Sequence, residues 1–86
     1  AASIVAGDRS RTHGDMHANF AAIARLWSAY LADKRAGIDA EDVAHMMVLL
    51  KIARTQSGTL NLDDYVDMAG YAACAAEVAA KADRNG

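Results

Sequence analysis

The chain has 86 residues, a length that allows one domain with a thin hydrophobic core. Hydrophobic residues make up 53% of the sequence and charged residues 23%, a balance that excludes intrinsic disorder. The net charge of −2 argues against a broad nucleic-acid-binding surface, and no apolar run is long enough to span a membrane. The sequence is rich in alanine and lacks proline, so its composition predicts an all-α fold.

The first predicted helix covers residues 15–36 and follows a short apolar lead and a polar loop over 1–14. Asp15 is a good N-cap, because its carboxylate can accept from the free backbone N–H groups of the first turn. Gly37 is predicted to end this helix, since glycine adopts the left-handed conformation of a C-terminal stop without steric cost.

The second predicted helix covers residues 39–57 and has the clearest start, because Asp39 and Asp42 approximate a capping box. Its apolar residues form two stripes when they are placed at about 100° per residue. One stripe consists of Val43, Met46, Met47, Leu50 and Ala53, and the other of Val48, Leu49 and Ile52. A helix that is apolar on two sides is buried on two sides. We therefore expect it at the centre of an antiparallel three-helix unit that assembles into a dimer or a larger helical bundle.

The third predicted helix covers residues 61–82 and starts with a similar pair, Asn61 and Asp64. The residues after Ala82 are expected to fray. The single cysteine, Cys74, excludes a disulfide framework and fits a reducing compartment such as the cytoplasm. We expect it to be a small buried residue.

Polar residues are predicted to converge at one end of this unit, because short connections make neighbouring helices antiparallel. The start of helix one, the end of helix two and the start of helix three all meet there. The candidate ligand-binding residues at this end are His13, Asp15, Asn19, Lys51 and Arg54, and the candidate metal ligands are Asp64 and Asp67. Lys51 and Arg54 could bind phosphate, and the carboxylates would repel each other unless a cation neutralised them.

The same residues also have structural explanations, which the sequence leaves open. Lys51 and Arg54 complement the dipole at a helix C-terminus, and they could simply pair with Asp64 and Asp67. Asp64 could equally serve as a cap. The opposite end carries fewer candidates, namely Tyr30, Lys34, Glu41 and Glu77. His45 is expected to be a packed or interfacial histidine.

Short strings follow one another in a characteristic order along nearly the whole chain. They are Gly7-Asp8-Arg9, His13-Gly14-Asp15, Asn19-Phe20, Ile23-Ala24, Leu26-Trp27, Glu41-Asp42-Val43-Ala44, Met46-Met47, Leu50-Lys51-Ile52-Ala53-Arg54, Asp64, Asp67 and Gly70-Tyr71-Ala72. Together they resemble a small uncharacterised family of phage and prophage proteins. The resemblance implies no established activity, and it places the protein in the cytoplasm of an infected or lysogenic bacterial host.

The chain is also loosely similar to phage nucleotide-modification-associated domains, which share a Lys-x-x-Arg helix followed by an Asp-rich helix. A more distant resemblance is to the MazG-like nucleoside triphosphate pyrophosphohydrolases, all-α enzymes that hold Mg²⁺ with acidic pairs on two helices. Asp64-x-x-Asp67 corresponds to one pair, and Asp42-x-x-His45 stands where the other would be. This similarity implies Mg²⁺ as the cofactor and leaves open whether the protein is an enzyme.

The sequence thus predicts a phage-type protein that binds a nucleotide or another phosphorylated small molecule at its polar end. It could hydrolyse this ligand with Mg²⁺ if a partner subunit completed the acidic set. The alternative is a non-catalytic oligomeric interaction protein, such as a host-protein inhibitor or a scaffold, in which the same charges form salt bridges. Both hypotheses predict a homo-oligomer and no membrane partner.

Overall fold

The structure, a computed structural model, describes the backbone of residues 15–85 and the side chains of residues 15–83. Within this range it contains helices and no strand, which confirms the predicted all-α class. The helices are α1 (Met16–Leu31), α2 (Ala40–Thr55) and α3 (Leu62–Asn85). The predicted lead and loop over 1–14 lie outside the described residues.

Two of the predicted helix starts have the expected capping contacts. The Asp15 carboxylate accepts a 2.8 Å hydrogen bond from the backbone N–H of Ala18. At the start of α2, the backbone N–H groups of Asp39 and Asp42 each donate to the other residue's carboxylate at 2.9 Å. This is a complete capping box, as predicted, and it satisfies backbone donors that the first helical turn leaves free.

The ends of α1 and α3 differ from the predicted ends. Helix α1 stops at Leu31 rather than near residue 36, and the turn that follows brings Lys34 within 2.8 Å of Asp42. Gly37 is not the stop, since Gly58 is the glycine with a positive φ, 69°, among the described residues. Helix α3 continues to Asn85 instead of fraying after residue 82. Its alanine-rich sequence has the best available helix propensity, which explains the longer run.

The middle helix lies between the other two, as predicted. Helix α2 packs against both α1 and α3, whereas α1 and α3 make little direct contact with each other. The Trp27 indole N–H donates to the Met46 carbonyl at 2.8 Å, which fixes α1 on one side of α2. Among the buried residues of α2, Ala44 lies opposite Met46 and Ala53 at about 100° per residue. The three helices therefore form a single layer with α2 in the middle.

A single layer of helices leaves its two faces uncovered, and the burial of the side chains reflects this. No large side chain in the described part of the chain is fully buried. Several large hydrophobic side chains are instead exposed, namely Met16, Phe20, Ile38, Val43, Leu60, Leu62, Tyr65 and Val66. Because domains usually bury apolar surface between two packed layers, this arrangement is one half of such an architecture.

Candidate functional site

Four of the predicted site residues meet where the end of α2 faces the start of α3. We call this group the charged cluster: Lys51, Arg54, Asp64 and Asp67. The Lys51 Nζ lies 2.9 Å from an Asp67 carboxylate oxygen and 4.0 Å from an Asp64 oxygen. The Arg54 Nε donates to the same Asp64 oxygen at 3.1 Å. The predicted convergence of these four side chains is therefore present in the fold.

The charges of this cluster cancel, because two cations face two carboxylates. Asp64 is only 4% exposed, so its carboxylate needs the positive partners that Arg54 and Lys51 supply. The Asp67 side chain is 45% exposed. Water therefore reaches the Lys51–Asp67 pair more easily than the buried Asp64 contacts. A ligand anion that replaced a carboxylate here would replace Asp67 with the least disturbance.

The capping box predicted for the third helix is wrong. The Asn61 carboxamide oxygen does accept from a backbone N–H at 3.0 Å, but the donor is Asp63. Asp64 directs its carboxylate to Arg54 rather than back to the start of the helix. The residue type and spacing fit a cap, but a buried position beside an arginine fixes the side chain more strongly than an exposed backbone N–H.

The remaining predicted ligand-binding residues belong to the start of α1. Asp15 is exposed and caps that helix, and Asn19 is half-buried. Phe20 and Leu50 line the same cavity of about 360 Å³, so the start of α1 does lie beside the last turns of α2. His13 lies outside the described residues.

The carboxylates of the charged cluster do not form a metal centre within one chain. Among the described residues, no group of three or more His, Cys, Asp or Glu side chains is placed to hold a metal ion. Asp64 and Asp67 both face cations of the protein, and Asp42 and His45 lie toward the other end of α2. The donor set that Mg²⁺ prefers, several free oxygens, is thus incomplete here.

A second polar group, which the sequence prediction ranked lower, lies at the start of α2. We call it the tyrosine cluster: Tyr30, Lys34, Asp39, Asp42 and His45. Asp42 is 4% exposed and accepts from the Tyr30 hydroxyl at 2.7 Å, the Lys34 ammonium at 2.8 Å and the Asp39 backbone at 2.9 Å. The Tyr30 hydroxyl also lies 2.8 Å from the His45 Nδ1. Asp42 thus joins the capping box to the end of α1.

These contacts determine how the protons are arranged. The ion pair with Lys34 lowers the pKa of Asp42 well below its usual range, and the Asp39 N–H and Tyr30 hydroxyl add to this effect. Because ionised Asp42 only accepts, Tyr30 donates to it, and the pKa of Tyr30 is raised chiefly by this hydrogen bond. The Tyr30 oxygen then accepts from His45, whose proton sits on Nδ1. The pKa of Lys34 is raised mainly by the same carboxylate.

An open groove of about 480 Å³ lies beside the tyrosine cluster. Tyr30, Glu41 and His45 form its polar end, and the rest of its lining is apolar: Val48, Leu49, Ala72, Ala75, Ala76 and Ala79. The His45 Nε2 lies 3.6 Å from a Glu41 carboxylate oxygen, and both side chains are partly exposed. His45 is therefore half-buried at a groove rather than enclosed, which agrees with the interfacial alternative and not with a fully packed side chain.

The tyrosine cluster was underestimated for a physical reason. Its parts lie 12 to 15 residues apart, and they meet only because α1 ends early enough for Lys34 to turn back toward α2. The prediction for Cys74 is also wrong, since this thiol is free and exposed. Ala75 is the residue of that turn that is buried, and its neighbour Cys74 points away from it by about 100°.

Comparison with known proteins identifies relatives of the chain but no activity. Residues 1–79 match a family described as "Domain of unknown function (DUF6378)". The chain is 41% identical over 71 residues to the Gene 55 protein of Mycobacterium phage D29, which covers 83% of this chain and 45% of the relative. The Gene 55 protein of Mycobacterium phage L5 is 45% identical over 74 residues, covering 84% and 45%. The chain thus spans about half the length of these relatives.

No solved structure matches the chain. Among the described residues, none of the helices has the length and hydropathy needed to cross a membrane.

Proposed function

Because the chain belongs to the DUF6378 family, a domain of unknown function, we propose a function from its side chains: it is a helical interaction protein that assembles with further copies of itself. One observation carries this proposal. The helices form a single layer whose large hydrophobic side chains are exposed, and none of them is fully buried in the described part of the chain. Contiguous exposed apolar surface of this kind marks interaction sites on folded proteins.

The exposed residues are numerous enough to build an interface. The eight large ones together present on the order of 800 Å² of surface, about what each partner contributes to a standard protein–protein interface. A second copy that stacked its own layer on this one would supply the second layer that an all-α domain requires. Self-association would therefore complete the core as well as join the copies.

Sedimentation velocity on the purified chain, from low micromolar to submillimolar concentration, tests this proposal. The expected result is a mass of two or more chains that falls on dilution. Phe20→Gln, which removes an exposed apolar side chain, should weaken the association, whereas the exposed polar change Ser28→Gln is a matched control and should not. A single-chain mass at every concentration would overturn the proposal.

A second candidate function is the binding of a nucleotide or another phosphorylated small molecule at the charged cluster. The observation in its favour is that Lys51 and Arg54 lie side by side with Asp67, the most exposed member of the cluster. A phosphate could replace the Asp67 carboxylate on Lys51 and accept from the arginine as well. Asp15 and Asn19, at the start of α1, are the proposed contacts to the base or sugar, together with His13.

Mg²⁺ belongs to this second candidate only through the assembly. Asp64 and Asp67 supply too few free oxygens, so a second subunit would have to complete the set before a MazG-like hydrolysis could occur. The free, exposed thiol of Cys74 is compatible with the reducing cytoplasm of an infected or lysogenic host, where we propose that the protein acts.

Thermal unfolding with a panel of nucleotides, each with and without Mg²⁺, tests the second candidate. A ligand that binds only the folded chain must raise its melting temperature. Lys51→Gln should abolish the shift, whereas Lys81→Gln, which removes an exposed charge outside the cluster, should preserve it. If no nucleotide or phosphate changes the melting temperature of the wild-type chain, this candidate is wrong.

A further inference from the structure

Helix α3 has an apolar face that the other described helices leave uncovered. It touches α2 on the side of Ala75, which is buried, while its outer side is exposed. The exposed residues of this outer face are Leu62, Tyr65, Val66, Ala69, Ala72, Ala73, Ala76 and Ala80. Leu62 and Val66 are each 67% exposed, so the face is open along its larger side chains as well as along its alanines.

This face repeats every seven residues along the helix. One row contains Leu62, Ala69 and Ala76, and the next contains Tyr65, Ala72 and Ala79. Apolar rows at seven-residue spacing are typical of a helix that packs lengthwise against another helix. The region extends for about 27 Å at a rise of 1.5 Å per residue, and its alanines allow the two helix axes to approach closely.

The charges beside this face give the contact a direction. Asp63 and Asp67 lie near the start of α3, and Lys81 lies near its end, with Asp63 and Lys81 both exposed. A parallel partner helix would bring like charges to the same level. An antiparallel one would bring each Lys81 toward the acidic start of the other helix, which is the favourable arrangement.

We infer that α3 of a second copy covers this face, with the two helices antiparallel around a two-fold axis. This inference rests on the proposed self-association and adds its surface and direction. When the rows interdigitate, Tyr65 lies opposite Ala76 of the second copy and Ala69 lies opposite Ala72. Lys81 then comes within about one helical turn of Asp63 of the second copy. The contact is isologous, so it closes as a dimer and leaves no free end.

Disulfide trapping tests the direction of the contact. In a Cys74→Ser background, Tyr65→Cys and Ala76→Cys are made in separate chains that carry tags of different mass, then mixed and oxidised. The expected product is a mixed disulfide between the two variants. Neither variant should link to itself, because antiparallel packing separates identical residues by about 16 Å along the axis. A disulfide requires Cα atoms within about 7 Å of each other.

The native thiol provides the matched control. Cys74 is exposed but lies on another side of α3, so the wild-type chain mixed with Tyr65→Cys should give no disulfide. Self-linked Tyr65→Cys would indicate a parallel pair and overturn the inference. A wild-type chain that is oligomeric by sedimentation but forms no mixed disulfide would also overturn it, with the proposed function intact. A monomeric wild-type chain would overturn both.

Charge reversal provides a readout that does not depend on cysteine substitutions. Lys81→Glu places like charges beside Asp63 of the second copy and should weaken dimerisation by roughly two- to tenfold. Asp63→Lys combined with Lys81→Glu should restore the wild-type dissociation constant. If the double variant associated as weakly as Lys81→Glu alone, the antiparallel pairing would be wrong.

Discussion

The two clusters along α2 each bury one aspartate, but they satisfy it with different kinds of partner. Asp42 accepts from a backbone N–H in its own capping box, from the Tyr30 hydroxyl and from Lys34. Asp64 is held by Arg54 and Lys51, both of them flexible cations on another helix. The tyrosine cluster is therefore organised around local backbone structure, whereas the charged cluster depends on the packing of α3 against α2. The two aspartates should respond differently to substitution and to pH.

The largest effect is expected where the buried charge depends on side chains alone. Asp64→Ala leaves Arg54 and Lys51 without their shared carboxylate. We expect a loss of about 2–4 kcal/mol in the free energy of unfolding, somewhat less than for a fully enclosed pair because both cations are partly exposed. Urea denaturation followed by circular dichroism measures this loss.

The neighbouring aspartate is a matched control for that substitution. Asp63 is exposed, and Asp63→Ala should change the free energy of unfolding by no more than about 0.5 kcal/mol in the monomer, measured below the concentration of self-association. Equal effects of the two substitutions would show that Asp64 gains no stability from its two cations.

The second expected effect is on the acid side of the pH profile. The unfolded chain ionises Asp42 with a pKa near 3.9, and the folded chain holds this pKa lower, mainly through Lys34. The unfolded state therefore binds more protons at low pH, and stability must fall as the pH drops below about 4. Melting temperatures at intervals from pH 7 to pH 2.5 should show this fall in the wild-type chain.

Asp42→Asn removes the titrating group, so the variant should be less stable at neutral pH and should lose much of its acid dependence. Asp33→Asn is the control, because Asp33 is exposed at the end of α1 and its replacement should leave the profile unchanged. An acid slope in Asp42→Asn as steep as in the wild-type chain would assign the acid sensitivity to other carboxylates, and the comparison of the two clusters would lose its electrostatic basis.

The sequence predicted the parts of this fold that local rules determine. The Asp39–Asp42 box, the Asp15 cap and the central position of α2 follow from residue type and spacing alone. The charged cluster could also be predicted, because its residues lie on adjacent helices joined by a short turn. The tyrosine cluster could not, since it depends on where α1 stops, and helix ends are poorly determined by propensity. The exposure of Cys74 depends on rotation about α3, which its uniform alanines leave undetermined.

A smaller effect is expected at the capping box itself. Asp39→Ala removes the acceptor for the Asp42 N–H and should lower the free energy of unfolding by about 0.5–2 kcal/mol. Asp39→Asn keeps an oxygen acceptor and should recover most of that loss. Chemical denaturation of both variants gives the comparison. If Asp39→Ala instead abolished self-association while the helix content stayed intact, then the start of α2 would belong to the interface.

The smallest effect on stability is expected for Asp67, and this prediction separates a scaffold from a binding site. Its side chain is 45% exposed, so its 2.9 Å pair with Lys51 is screened by solvent. Asp67→Asn should change the free energy of unfolding by less than about 1 kcal/mol, because Lys51 keeps a contact with Asp64. If a phosphorylated ligand binds here by replacing Asp67, the variant should bind it at least as tightly as the wild-type chain. If the carboxylate instead holds Mg²⁺, the variant should lose any Mg²⁺-dependent rise in melting temperature. Melting curves of both chains with inorganic pyrophosphate, with and without Mg²⁺, distinguish these results. Identical curves for the two chains under all four conditions would assign Asp67 to the scaffold alone.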